Sequence, residues 1–292
     1  MFDRFVVVDW SANSAPKLGR DSIWIAVHDR TGGLGTDHVS VTNLPTRASA
    51  TTFLAELFES DPGSITLLGV DFSLGYPNGT ATALGAAGTP WSAMWTLLAH
   101  SISDDDRNGN NRFAVAGDLN QRLTGAAAPF WGCPPQAASR YLTTTKPTTT
   151  APLAPFRAVE NELRAQGRRP FSSWQLLGAG AVGSQSLVGI PRLHDLRRRF
   201  SDRIEVWPFT TGFGAPPLVA GVIIVAEVWP SMFDIDAADH RVRDAAQVST
   251  TARWMADTDA TDGLAALFSL DMPPEVSAAA IAEEGWVLGV VP

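Results

Sequence analysis

Cysteine is almost missing from this chain, which carries only Cys133 among its 292 residues. A single cysteine excludes an intrachain disulfide and any zinc site built from several thiolates. The five histidines, at positions 28, 38, 100, 194 and 240, lack the short spacings that zinc sites use. We therefore expect neither a disulfide framework nor a zinc centre, and a reducing, cytoplasmic setting suits such a chain.

Long hydrophobic runs are missing as well. The longest apolar stretch, residues 217–228, is shorter than the roughly 20 residues that a membrane span requires. No charged segment followed by an apolar run opens the chain. We expect no membrane anchor and no targeting signal.

Positive charge is scarce, since 30 acidic residues outnumber 22 lysines and arginines and leave a net charge of −8. This balance disfavours a nonspecific duplex binder held by backbone electrostatics. Local basic patches at residues 168–169 and 197–199 can still contact phosphate. The hydrophobic content of 45% is enough to bury a large core.

What the sequence does have is a repeated strand ending. Residues 5–9 and residues 67–71 are each an apolar run that finishes in an aspartate. If the two strands are parallel and adjacent, Asp9 and Asp71 face one another in the crevice where open sheets bind ligands. Two close carboxylates repel each other, and a divalent cation is the usual remedy.

The apolar periodicity predicts how these strands are connected. Three strands, a helix and a fourth strand are expected at residues 4–9, 22–28, 38–43, 46–60 and 65–70. Glycines 32, 33 and 35 predict the turn between the second and third strands. A meander followed by a crossover helix returns the fourth strand parallel to the first.

We predict an α/β fold, a mixed sheet with helices on both faces, forming a single domain over residues 1–292. An irregular insertion at about 72–220, with helices at 91–101 and 155–167, is expected to cover the carboxyl edge of the sheet. A later strand at 221–227 ends in a third carboxylate, Glu227. A helix over 251–270 places Asp259 and Asp262 on one face through their i, i+3 spacing.

This pattern resembles the ribonuclease H-like superfamily in its β-β-β-α-β opening and in the aspartates after strands one and four. The run Asp259 to Ala266 is similar to the D-x-x-D-A-L helix of the resolvase branch of that superfamily. The chain also resembles the family called domain of unknown function 429, itself taken to be a predicted nuclease of that fold. The segments that carry this resemblance are residues 8–12, 69–77, 226–231, 259–266 and 284–289.

The resemblance implies a metal-dependent phosphodiester hydrolase, and within that class a nuclease. Asp9 and Asp71 would share a divalent ion. Glu227 and Asp262, together with Asp259, would be further ligands that complete one or two metal sites. Asp9, Asp71, Glu227 and Asp262 would be the catalytic acids. Ligation by carboxylate oxygens suits Mg²⁺ or Mn²⁺. The implied substrate is a nucleic acid or a small phosphoester.

Each acid also has a structural interpretation. An aspartate after a strand often caps a turn through its own backbone bonds, and capping alone explains Asp259 in its Thr/Asp-rich setting. A second function also stays open on the same fold, namely binding or transfer of a small phosphorylated ligand, as in actin-like ATPases that place a strand-end aspartate on magnesium. The bulky Trp10 counts against it, because a phosphate-binding backbone there wants glycine.

Residues 178–183 fit the pattern G-x-G-x-x-G. No βαβ repeat surrounds them, and Pro191 is expected to interrupt the helix that a dinucleotide-binding turn should open. We interpret the segment as a tight turn, or as a backbone nest for a phosphate or carboxylate beside the acids. Arg112 and Arg157 suit an anionic substrate, although the spacing of Arg157 and Glu160 favours a surface pair.

Overall fold

A computed structural model describes residues 1–30, 39–148, 152–178, 180–235 and 240–292. Its strands are β1 to β6, at Arg4–Asp9, Ile23–Asp29, Val39–Leu44, Thr66–Val70, Ile204–Val206 and Ile223–Glu227. The predicted strands therefore all form, with ends that differ by one or two residues. The turn expected at glycines 32, 33 and 35, and the first residue of the predicted third strand, lie outside the described residues.

The described parts of the chain form nine α-helices. The helices α1 to α9 are Arg47–Ser60, Thr80–Ala83, Pro90–Ser101, Arg112–Thr124, Ala158–Ala165, Gly183–Arg199, Arg243–Ala260, Gly263–Phe268 and Pro274–Ala279. Helix α1 begins as predicted, because Thr46 caps it: Thr46 Oγ1 accepts the Ser49 N–H at 3.1 Å. No helix in the described parts of the chain has the length and apolarity needed to cross a membrane.

The strands form one mixed sheet in the order β3-β2-β1-β4-β6-β5. The first three are antiparallel neighbours, whereas β4 returns parallel to β1 and is followed by parallel β6 and β5. The predicted α/β class, the meander and the parallel return of β4 are confirmed. Helix α1 makes the return possible, because a parallel neighbour requires a crossover connection.

Two hydrophobic cores cover the two faces of this sheet. Along β1 the side chains alternate, so that Val6 and Val8 join one core while Phe5 and Val7 join the other. Helices α1, α3 and α6 pack in the first core, and α7 packs over β1, β2 and β3 in the second. Buried on both faces, β1 and β4 need the continuous apolar sequences that they have.

Between β4 and β6 the chain is more regular than the sequence suggests. It holds α2 to α6 and the edge strand β5. Helix α6 runs through Pro191 from Gly183 to Arg199, so the expected interruption at Pro191 is wrong. Proline removes one helix hydrogen bond, and Pro191 and its neighbour Ile190 are buried in α6, which packs against α3.

The C-terminal helical segment differs from the prediction in extent and in orientation. It is two helices, α7 and α8, separated at Asp262, which is exposed and has φ of +58°. Asp259 lies in the last turn of α7. Its Oδ2 accepts the Phe2 N–H at 2.9 Å and pairs with Arg30 at 2.5 Å. The expectation that Asp259 and Asp262 share a helix face is therefore wrong, because the chain turns between them.

We expect Asp259→Asn to lower the free energy of unfolding by about 2 kcal/mol, because it leaves the guanidinium of Arg30 and the Phe2 N–H without their anionic acceptor. Urea unfolding measures this change. Asp262→Asn is the matched control: it makes the same chemical change three residues away, at an exposed position where asparagine tolerates the left-handed backbone. Equal stability of the two variants would contradict the assignment.

Candidate active site at the carboxyl edge of the sheet

Two aspartates end adjacent parallel strands. Val8 of β1 is paired with Val70 of β4, so the next residue of each strand, Asp9 and Asp71, lies at the same level. Neighbouring strands are about 4.8 Å apart. The Asp71 N–H also donates to Val8 O at 3.0 Å, which continues the parallel ladder up to the acids. The predicted meeting of Asp9 and Asp71 is confirmed.

The residue after each acid fixes the strand ends. Trp10 and Phe72 are buried and pack against each other with ring centroids 6.0 Å apart, in the core that contains α6. Phe72 fits against Gly189 of α6, where a Cβ atom would lie 2.5 Å from its ring. Because side chains alternate along a strand, Asp9 and Asp71 project toward the opposite face, the one covered by α7.

Burial and mutual repulsion perturb both carboxyls. Burial raises the pKa of Asp71 to about 7, and the charges of Glu227 and Asp244 add to this effect. Burial also raises the pKa of Asp9 well above 3.8, followed by repulsion from Asp71. Within the described residues, neither carboxylate accepts a hydrogen bond from a side chain or backbone N–H or pairs with a cation. The pair is an uncompensated concentration of negative charge.

Asp244 is the third acid of this site, and sequence reasoning missed it. It lies in the first turn of α7 and contributes to the raised pKa of both Asp9 and Asp71. Its Oδ2 accepts the backbone N–H of Asp21 at 2.7 Å, and Asp21 itself adds to the field at Asp9. An acid in a first helical turn is also stabilised by the helix dipole.

The orientation of α7 explains why the sequence analysis missed Asp244 and chose Asp259 and Asp262 instead. Asp244 and Asp259 are 15 residues apart in one helix, which corresponds to about 22 Å along its axis. The extended segment from Phe2 to Asp9, which contains β1, spans a similar length. With Asp259 bonded to Phe2, it and Asp262 lie toward the amino end of β1, away from Asp9. Their assignment as ligands or catalytic acids beside Asp9 is therefore wrong, and a helix predicted to begin at Arg243 would have shown Asp244.

Glu227 lies in the same cleft as Asp9 and Asp71, as predicted, but its oxygens are occupied. Arg157 donates to Oε1 at 2.6 Å and to Oε2 at 2.8 Å, and the Leu74 N–H donates to Oε2 at 3.0 Å. Arg157 also pairs with Glu160 at 2.6 Å and is 1% exposed. The interpretation of Arg157 as a surface pair is wrong: it is the buried cation that balances two carboxylates.

The glycine-rich segment opens α6 beside the acids. Gly178 and Gly180 have φ of +117° and +75°, and a Cβ at Gly183 would clash with the Ser173 carbonyl. The Gln185 side chain then donates to Trp10 O at 2.5 Å, which ties the first turn of α6 to the residue after Asp9. The predicted tight turn beside the acids is confirmed for the described residues, and its role as an anion nest stays a prediction.

These elements enclose a cleft of about 700 Å³. Its floor holds Asp9 and Asp71, and the exposed side chains of Arg20 and Arg243 stand on its rim. The other charged residues that line it are Asp21, Glu160, Glu227 and Asp244. Six acids and two arginines line the cleft, so a ligand that brings a cation is favoured there, while the rim arginines favour an anionic substrate.

The chemistry of these side chains fits a hard divalent cation, because their free ligands are carboxylate oxygens and the described residues that line the cleft include no thiolate or imidazole. No three histidine, cysteine, aspartate or glutamate side chains of the described residues already converge on one point. The arrangement is therefore two adjacent carboxylates with a third acid, Asp244, in electrostatic range. It can bind a cation or hold a shared proton.

Comparison of the chain with protein-family models, with curated proteins and with solved structures finds no match. Geometry and electrostatics of the cleft are therefore the basis on which a function can be proposed for this protein.

We expect the stability of the protein to depend on pH through these acids. Their folded-state pKa values are raised, so the stabilisation is complete below about 3.8 and is lost as the pH rises through about 7 for Asp71. Asp71→Asn should raise the free energy of unfolding at pH 8 by on the order of 1 kcal/mol and change it little at pH 4. Urea unfolding with a chelator present measures both values, and an equal effect at the two pH values would disprove the coupling.

We expect Arg157→Met to lower the free energy of unfolding by about 3–5 kcal/mol, because Glu160 and Glu227 stay buried without their cation. Adding Glu227→Gln to this variant should recover part of the loss. Arg164→Met is the control, since Arg164 is an exposed cation on the same helix, stacked on Phe156 at 4.5 Å. Chemical denaturation compares the variants, and a loss as small as that of the control would contradict the buried ion pair.

Proposed function

We propose that this protein is a divalent-metal-dependent phosphodiester hydrolase, and within that class a nuclease. The observation that carries the proposal is the pair Asp9 and Asp71, adjacent in register, with raised pKa values and no cationic partner among the described residues. Structural capping does not explain such a pair, because a capping carboxylate accepts hydrogen bonds and has its pKa lowered by them.

Mg²⁺ or Mn²⁺ is the proposed cofactor. Asp9 and Asp71 would hold it, and Asp244 is proposed in place of Asp259 and Asp262 as the additional acid. Glu227 is proposed to act from beside Asp71 while Arg157 balances its charge. When bound, such an ion supplies a Lewis acid and an activated water for attack on phosphorus.

The chain's own residues would prepare the substrate for that attack. Arg20 and Arg243 on the rim attract and orient a phosphate that the acids alone would repel. Trp10 and Phe72 hold the two strand ends at a fixed separation, which keeps Asp9 and Asp71 aligned. Gln185 bonds the first turn of α6 to Trp10, the residue after Asp9, and so holds that helix end in a fixed position relative to Asp9.

We further propose that the fold is ribonuclease H-like and that the chain belongs with the domain of unknown function 429 family. Support comes from the antiparallel meander, the return of β4 parallel to β1, and an acid after each of these two strands. The segments that carry the resemblance contribute Asp9, Asp71 and Glu227 to one cleft.

A second candidate, binding or transfer of a small phosphorylated ligand, is favoured by one observation. The cleft volume of about 700 Å³ lies within the range of small-molecule pockets, roughly 300–1,000 Å³. Both candidates use the same acids, so the substrate distinguishes them.

We expect calorimetric titration to show one or more Mg²⁺ or Mn²⁺ ions binding to the protein and to show no binding to Asp9→Asn or Asp71→Asn. Asp244→Asn should weaken binding roughly tenfold, as loss of an outer acid does. Asp262→Asn, an equal charge change outside the cleft, should bind as the original protein does.

The same variants are then assayed for cleavage of single-stranded, duplex and branched nucleic acids and of a small phosphodiester. Cleavage lost together with metal binding supports the nuclease. Metal binding without cleavage of any of these substrates supports the second candidate. Absence of metal binding in the original protein would overturn the metal site and leave a shared proton between the two aspartates.

A further inference from the structure

Arg112 is a buried arginine with an unpaired charge. It is the first residue of α4 and is 8% exposed. Its Nε donates to Ser184 Oγ at 3.0 Å, and its Nη1 donates to Ser14 Oγ at 2.9 Å and to Asn110 Oδ1 at 2.8 Å. All three acceptors are neutral. Among the described residues Nη2 has no acceptor, and no carboxylate pairs with this guanidinium.

The surroundings add to the positive charge. Asp104, whose charge acts on Arg112, is already paired with Arg47 at 2.5 Å and with Arg192 at 2.8 Å. Its carboxylate is therefore occupied by two other arginines. Burial, together with the charge of Arg47, lowers the pKa of Arg112 to about 10 against the opposing charge of Asp104. Burying a cation without a counter-ion is costly, and an arriving anion would remove that cost.

The N-terminal turn of α6 lies beside this guanidinium. Ser184, which accepts from Arg112, is the second residue of the helix, and its hydroxyl donates to Leu176 O at 2.6 Å. The N–H groups of Ser184 and Gln185 have no acceptor among the described residues. A helix of 17 residues directs these N–H groups and its positive dipole end toward the same space as Arg112.

That space opens directly onto the proposed active site. Arg112, Ser184 and Gln185 line a recess of about 430 Å³ together with Asp9, Asp244 and Ser14. The recess therefore has a basic end and an acidic end. A single phosphate at the acids would leave the basic end without a partner.

From this arrangement we propose that Arg112 and the first turn of α6 bind a second anionic group of the substrate, a phosphate other than the one held at Asp9 and Asp71. The inference rests on the proposed function and narrows it: the substrate carries at least two phosphates. An oligonucleotide and a small diphosphate ester both satisfy this requirement, and their shared chemistry is the second phosphate.

Binding is tested without metal, with pyrophosphate as the probe, so that the result does not depend on the carboxylates. Calorimetry should show pyrophosphate binding to the protein and roughly tenfold weaker binding to Arg112→Gln, as expected for loss of a charge-assisted hydrogen bond. Arg164→Gln is the control, because Arg164 lies outside the recess and is also stacked on a phenylalanine. Its guanidinium carbon lies 4.5 Å from the ring centroid, against 4.3 Å for Arg112. Equal affinity of all three proteins would overturn the proposal.

A measurement on the unaltered protein covers the case in which Arg112→Gln does not fold. In ¹⁵N-labelled protein, pyrophosphate should shift the amide signals of Ser184 and Gln185 and the Nε–H signal of Arg112. Shifts confined to other residues would overturn the subsite.

Cleavage kinetics separate this subsite from the active site. Arg112→Gln should raise KM for a dinucleotide that carries a terminal phosphate and leave KM unchanged for one that lacks it. If Asp9→Asn abolishes metal binding while pyrophosphate still binds, both proposals stand. If the protein binds no metal but pyrophosphate binds at Arg112, only the hydrolase is lost. The increase in KM caused by Arg112→Gln is then compared for a longer oligonucleotide and for a small diphosphate ester. The substrate with the larger increase is the source of the second phosphate.

Discussion

The parallel pairing of β1 with β4 is the constraint on which the site depends. Because Val8 is opposite Val70, the chain cannot avoid placing Asp9 beside Asp71. Both strands are buried on both faces, and the partial burial of the two aspartates at their ends raises the pKa of each carboxyl. The hydrophobic energy of the central strands thus supports an electrostatically unfavourable pair. Such local conflict with the fold is typical of functional sites.

The two pairs of acids in the cleft differ in whether a cation accompanies them. Glu227 and Glu160 have Arg157, a buried guanidinium that meets both carboxylates with short hydrogen bonds. Asp9 and Asp71 have no such partner among the described residues, although they lie in the same cleft. The protein therefore supplies a cation to the acids that hold α5 to the sheet, and supplies none among the described residues to those at the open end of the central strands. This contrast distinguishes a structural carboxylate from one available to a ligand.

The positive groups of the cleft are distributed in a complementary way. Arg157 lies beneath it, Arg20 and Arg243 lie on its rim, and Arg112 lies in the recess at the start of α6. A chain with a net charge of −8 thus presents a locally basic route to an acidic floor. This arrangement favours an anionic ligand that arrives with, or meets, a divalent cation. The field within the cleft therefore differs from the overall charge of the chain, because fields at short range are set by the nearest groups.

The strands, the meander, the parallel return and the meeting of Asp9 with Asp71 could be predicted from the sequence, because they follow from local periodicity and one crossover connection. The end of α7 that meets the site could not be predicted. A helix of 18 residues spans the sheet, and its sequence does not show which of its ends lies at the carboxyl edge. Packing settled this by joining Asp259 to Phe2 and Arg30, which leaves Asp244 near Asp9. The burial of Arg157 and Arg112 could not be predicted from the sequence either, since Glu227 and Ser184, which bind them, are distant in the chain and are brought close only by the fold.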